Sequence, residues 1–95
     1  MVNSTIRPVI DFQGAVRVLA TRPGSVADRL AHAYEAHLRG AAFGRLPAPF
    51  SAQCESVREE LKRFLESGTA DEARAAELAA KVLLTYDLLI KTFFA

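Results

Sequence analysis

Apolar residues recur every three or four positions along most of the chain, which is the period of an α-helix with one buried face. The clearest stretch runs from about Phe50 to Ser67, where charged residues take the outer positions and the apolar stripe is Phe50, Cys54, Val57, Leu61, Phe64 and Leu65. We expect this segment to be the third helix of the fold. Gly68 should end it, because glycine readily adopts the left-handed backbone found just after helices.

A shorter first helix is predicted near the start of the chain. Pro8 disfavours helical backbone at the residue before it, so residues 1–10 are expected to form an extended lead-in. Asp11 then becomes the expected N-cap, since its carboxylate can accept a hydrogen bond from a free amide of the first turn. The Arg-Pro-Gly sequence at residues 22–24 should end this helix.

A second helix is expected between Ser25, a suitable N-cap, and Gly40, a suitable stop. Residues 40–49 follow with two glycines and two prolines, a composition typical of a loop. Phe43 and Leu46 are the apolar residues expected to fix this loop to the core.

The closing segment, Val82 to Ala95, carries more apolar residues than one buried face needs. Thr69 and Glu72 match a capping box at the start of a fourth helix. Beyond Lys81 that helix is apolar nearly all round, which is typical of a helix that is central in its domain or covered by a partner. We expect the core to hold Leu83, Leu84 and Leu88, and a second chain to contact Ile90, Phe93 and Phe94.

These elements predict an all-α protein, a small antiparallel bundle of three to four helices in a single domain over residues 1–95. Of the 95 residues 51% are hydrophobic, enough for a core without disulfides or metal. Twelve basic residues balance eleven acidic ones, which argues against nucleic acid as a partner. A lone cysteine, Cys54, and the lack of a signal peptide or a membrane-length apolar run favour the cytoplasm.

Two groups of polar residues are candidates for a site. Asp28, His32 and Glu35 share one helix face at positions i, i+4 and i+7 and could hold a metal or poise a base, although a solvated face is the simpler interpretation. A second candidate cluster combines side chains of helices 2 and 4: Tyr34, His37, Tyr86 and Asp87. The alternative for Asp87 is a structural ion pair with Lys91, four residues later.

No catalytic or cofactor motif is present: the chain has no phosphate-binding loop, dinucleotide fingerprint, nucleophile elbow or CxxC pair, so no cofactor is expected. Cys54 lies on the apolar stripe of the third helix, where burial should raise its pKa and leave it inert. Residues 16–38 resemble the first helices and R-P-G-S-V turn of winged-helix regulators. A basic recognition helix does not follow them, so DNA binding is a minor alternative.

The chain also resembles a group of short bacterial proteins of uncharacterised function. The shared features are an L-A-x-x-P-G turn at residues 19–24, a D-R-L-A-x-A-Y-x-x-H-L helix at residues 28–38 and an L-x-x-Y-D sequence at residues 83–87. This resemblance implies a bacterial, cytoplasmic, all-α protein and brings no activity with it. The polar positions it singles out are Asp28, Arg29, Tyr34, His37, Tyr86 and Asp87.

The leading hypothesis is therefore a non-enzymatic protein-protein interaction module that acts as a homodimer and buries the end of helix 4 with part of helix 3. A nucleic-acid-binding regulator that uses the helix-turn-helix-like segment 16–38 is one alternative. A small metal-binding or enzymatic helical protein is the other.

Overall fold

The described part of the chain is built from four helices, and a computed structural model places residues 6–69 and 71–94. The helices are α1 (Ile6–Thr21), α2 (Val26–Ala33, continued by a π-helical turn at Tyr34–Leu38), α3 (Ala48–Ser67) and α4 (Glu72–Phe93). No strand occurs among these residues, which confirms the predicted all-α bundle.

The first helix begins earlier than the sequence predicts. α1 starts at Ile6, so the expected extended lead-in is wrong for residues 6–10, and residues 1–5 lie outside the described part. Pro8 is tolerated because it stands in the first turn, where backbone amides have no intrahelical acceptor in any case. Asp11 is consequently not an N-cap but a buried residue in the body of α1, only 7% exposed.

The second helix starts where the sequence predicts and ends in an unexpected way. The Ser25 hydroxyl accepts a hydrogen bond from the Asp28 amide at 3.1 Å, which confirms the predicted cap. The eight-residue α2 then ends in a π turn, in which the Arg39 amide donates to the Tyr34 carbonyl at 2.8 Å. Such widened turns are rare and are frequent at functional sites.

The loop between α2 and α3 is held by aromatic contacts, as predicted. Phe43 and Leu46 are both buried, and the Phe43 ring lies 5.7 Å from that of Phe12. The Arg58 guanidinium covers the other side of Phe43 at 4.6 Å and donates to the carbonyls of Leu38 and Ala41. α3 begins at Ala48, two residues before its predicted start.

The end of α3 and the start of α4 are each set by a capping residue. Gly68 adopts φ 70°, the expected left-handed cap of α3. The N-cap of α4 is Asp71, whose carboxylate accepts from the Arg74 amide at 3.1 Å, and not the predicted Thr69. Glu72, the other half of the predicted capping box, instead accepts from two amides at the start of α2, as described below.

Neighbouring helices in sequence run antiparallel. The Arg29 side chain of α2 reaches the Leu19 carbonyl near the end of α1, and Gln53 near the start of α3 meets Thr85 near the end of α4. α4 also packs against α1 and α2. The core between the helices includes Val9, Phe12, Leu19, Leu30, Leu38, Val57, Leu61, Leu78, Val82 and Leu89.

The structure corrects which apolar residues of α4 are buried. The core face of α4 follows steps of three and four and consists of Ala75, Leu78, Val82, Thr85 and Leu89. Thr85 can occupy it because its hydroxyl donates to the Lys81 carbonyl at 2.8 Å and accepts from Gln53 at 3.3 Å. This register turns Leu83, Leu84 and Leu88 outward, where they are 47%, 66% and 42% exposed.

Of the three residues predicted to contact a second chain, two pack within their own chain and one is exposed. Ile90 and Phe93 are half-buried and pack against the core of their own chain, with the Phe93 ring edge-on to Phe50 at 5.4 Å. Phe94 is exposed. Ile90 and Phe93 therefore contribute to the fold, because the turn of α4 that carries them faces α3.

Candidate interaction surface and apolar groove

Three large apolar side chains are exposed on the outer side of α4. Leu83, Leu84 and Leu88 occupy two successive turns and are all exposed; we call them the leucine face. Single exposed leucines are ordinary on protein surfaces, but adjacent ones on one helix are typical of surfaces that bind another molecule. An ion pair between Asp87 and Lys91, 2.9 Å apart, lies among them.

A groove of about 320 Å³ opens beside the leucine face, between α4 and the neighbouring helices. Its floor consists of Ala76, Ala79 and Ala80, and its edge is Leu83. Alanines leave this space because they carry too little side chain to fill the gap between helices. We call this space, with the walls described next, the apolar groove.

The walls of the apolar groove come from α1 and α2. They are formed by Val16, Leu19 and Ala20 on one side and by Val26 with Arg29 on the other. Arg29 is the one charged residue that lines it in the described part of the chain. Its Nη1 donates to the Leu19 carbonyl at 2.7 Å and its Nε donates to the Ser25 carbonyl at 3.3 Å.

Near the groove, Glu72 connects α4 to the start of α2. Its two carboxylate oxygens accept from the amides of Val26 at 3.0 Å and Ala27 at 3.3 Å. A carboxylate at this position is favourable because the first amides of a helix lack intrahelical acceptors and carry a partial positive charge. Glu72 of α4 therefore caps the start of α2, while Asp71 caps the start of α4.

The predicted metal ligands do not form a three-ligand site in the described part of the chain. Asp28, His32 and Glu35 are all exposed, and Glu35 pairs with Arg39 at 3.0 Å. His32 lies 3.4 Å from Arg22, a cation that disfavours a metal ion there. The described residues contain no group of three ligating side chains arranged to hold a metal.

The predicted polar cluster of α2 and α4 is likewise dispersed. Tyr34 is buried and lines a cleft with residues of α3, whereas His37 faces α1. Asp87 is exposed and forms the predicted pair with Lys91, and Tyr86 is half-buried against the core. These four residues therefore serve separate contacts.

One polar arrangement was not expected from the sequence. The His37 ring packs on Gly14, where an added Cβ would lie 2.4 Å from Nδ1. Buried Asp11 lines the same cleft, and the Arg7 guanidinium is 3.5 Å from its carboxylate. Burial raises the pKa of the Asp11 carboxyl, while the positive charge of Arg7 and, less, that of His37 lower it. In the sequence, only the position of Asp11 next to Phe12, an expected core residue, could have indicated this buried carboxylate.

Cys54 lies in the core, as predicted. It is fully buried, and burial raises the pKa of its thiol to about 11, with a smaller rise from Glu55 and an opposing effect of Arg58. The thiolate that reacts with oxidants and metals is therefore scarce at neutral pH.

No helix in the described part of the chain has the length and hydropathy needed to cross a membrane. Comparison with family models, curated proteins and solved structures finds no match to this chain. The resemblance to short bacterial all-α proteins therefore stays a prediction.

Proposed function

We propose that the chain is a non-enzymatic interaction module that self-associates into a homodimer through the leucine face. The single observation that carries the proposal is the outward placement of Leu83, Leu84 and Leu88 on adjacent turns of α4. The proposed interface thus consists of these leucines in place of Ile90 and Phe93, together with exposed Phe94.

The exposed area sets the strength of such a dimer. Complete burial of a leucine side chain contributes about 1.5–3 kcal/mol, and the three leucines are roughly half exposed. Their burial in both copies would thus contribute on the order of 5–9 kcal/mol, against an association cost of about 4–15 kcal/mol. The most favourable balance is a net gain of about 5 kcal/mol, so we expect a weak dimer with a dissociation constant of roughly 0.2 mM.

The charges on this surface are compatible with a second copy. Asp87 and Lys91 neutralise each other within one chain, so the leucine face does not carry a net charge that would repel its own copy. The same two side chains can also exchange partners across an interface, which would fix the relative position of the copies more than it would add affinity.

The test is sedimentation equilibrium of the full chain from low micromolar to near-millimolar concentration. We expect the wild type to shift from monomer to dimer, and the double variant Leu84→Glu/Leu88→Glu to stay monomeric and folded. Ile10→Glu is the matched control, because Ile10 is 46% exposed but lies on α1, and this variant should dimerise like the wild type. A wild type that remains monomeric throughout would refute the proposal, as would a double variant that dimerises normally.

A further inference from the structure

We propose that the apolar groove is a binding site for a small amphipathic anion, namely an aliphatic chain that ends in a carboxylate, and that Arg29 recognises the carboxylate. The groove lies beside the leucine face and shares only Leu83 with it. The inference does not depend on dimerisation.

Arg29 is fixed in place before any ligand arrives. A guanidinium has five N–H donors, and two of those of Arg29 are used by the carbonyls of Leu19 and Ser25. The described part of the chain offers the other three no acceptor. Because the side chain is already held by two backbone groups and is half-buried, little rotamer freedom is left to lose on binding.

The remaining donors suit a carboxylate in particular. Carboxylates pair with guanidinium groups through two parallel hydrogen bonds, a geometry that an ammonium or a neutral alcohol cannot reproduce. Glu72, the acidic residue that bonds to Val26 at the edge of the groove, is already engaged by the Val26 and Ala27 amides. Arg29 is thus left as the charged group that a ligand in the groove would meet.

The rest of the groove suits a short aliphatic chain. The other lining side chains are alanine, valine and leucine, and the volume of about 320 Å³ is near the lower end of the range for small-molecule sites. Burial of one methylene raises affinity roughly fourfold. A chain of about eight carbons should therefore bind more tightly than one of six by roughly an order of magnitude.

The first test is titration of the ¹⁵N-labelled full chain with octanoate, followed by amide chemical shifts. We expect saturable shifts at groove residues such as Ala20 and Ala80, weaker binding of hexanoate, and no measurable binding of acetate, which lacks the chain. Octylammonium is the charge-reversed control and should bind at least roughly tenfold more weakly. Equal binding of octanoate and octylammonium, or shifts only outside the groove, would overturn the inference.

Substitutions distinguish octanoate binding in the groove from nonspecific adsorption of octanoate to the protein surface. Ala80→Phe fills the floor and should weaken octanoate binding roughly tenfold or more, whereas Ala73→Phe, at an exposed position of α4 outside the groove, should leave it unchanged. Arg29→Gln should weaken binding of octanoate but not of octanol, with the melting temperature measured alongside. An unaffected Ala80→Phe variant contradicts the inference whether or not Arg29→Gln folds.

Sedimentation of the same samples distinguishes the groove from the leucine face. If octanoate binds with the same affinity to the monomeric Leu84→Glu/Leu88→Glu variant, the groove is a ligand site even where the homodimer fails. If octanoate acts only by dissociating a wild-type dimer, the groove is occupied by the second copy of the chain, and the ligand inference is wrong.

Discussion

Gly14 gives a sharp test of the packing between α1 and the π turn, because two effects of opposite sign meet at this position. In the interior of a helix, Gly→Ala ordinarily stabilises a protein by about 0.5–1 kcal/mol. Here the added Cβ would lie 2.4 Å from Nδ1, 2.5 Å from Cε1 and 2.9 Å from Cγ of His37. Since Cγ is at the base of the ring, rotation of the ring about its own axis cannot relieve the contact, and the whole side chain must move.

We expect this displacement to outweigh the gain in helix propensity. Overpacking of a filled site costs about 1–3 kcal/mol, so Gly14→Ala should destabilise the fold by on the order of 1–2 kcal/mol. For a chain of this size that corresponds to a melting temperature lower by roughly 4–15 °C. Thermal and urea unfolding followed by circular dichroism would measure it.

A double-mutant cycle isolates the contact. In a His37→Ala background the ring is gone, so Gly14→Ala should become stabilising by about 0.5–1 kcal/mol. The sign of the effect therefore reverses between the two backgrounds. If Gly14→Ala stabilises the wild type, or destabilises both backgrounds equally, the close packing of His37 on Gly14 is not what selects glycine here.

Three further changes test polar contacts of the core. Glu60 accepts from Lys81 at 2.7 Å, which lowers the pKa of its carboxyl below the ordinary 4.5; because both partners are partly exposed, Glu60→Gln should cost at most about 1 kcal/mol at pH 7 in urea unfolding. Because a lowered folded-state pKa gives stability above the unfolded value that is lost in acid, the two proteins should converge in stability below pH 4.5. Burial raises the pKa of Asp11, so its charge opposes folding above that pKa; Asp11→Asn should raise the melting temperature at pH 7, and an unchanged or lower value would contradict this. Arg58→Lys loses the planar stack on Phe43 and should cost about 1 kcal/mol, with faster amide exchange in the loop before α3.

The helix ends that the sequence predicts well are those with a capping residue at the expected position. Ser25 and Gly68 behave as expected because a cap is a local contact between a residue and its immediate neighbours. Pro8 misleads because its effect depends on which turn it occupies, and only the structure shows that turn. The π turn at Tyr34–Leu38 has no sequence signal that we can identify, since its residues also suit an ordinary helix.

The candidate site was less predictable than the fold. Periodicity identifies a buried face by contrast between apolar and polar positions, and beyond Lys81 that contrast is almost absent. The sequence pattern therefore predicts leucines in the core, whereas the structure places Thr85 there, and its hydroxyl donates to the Lys81 carbonyl one turn earlier. Arg29 was singled out only by resemblance, and its role depends on the Leu19 carbonyl, ten residues away in sequence.

Both proposed surfaces exist because α4 has more apolar residues than its buried stripe needs. Packing against α1, α2 and α3 needs only one stripe of this helix, and that stripe is complete without Leu83, Leu84 or Leu88. Leucines that stay about half exposed give their own chain only about half of the stabilisation that complete burial would give. Alanines at the neighbouring positions leave a groove where larger residues would have closed the gap between helices. A helix that combines unneeded leucines with an unfilled groove is better explained by contacts outside the chain than by the requirements of its fold.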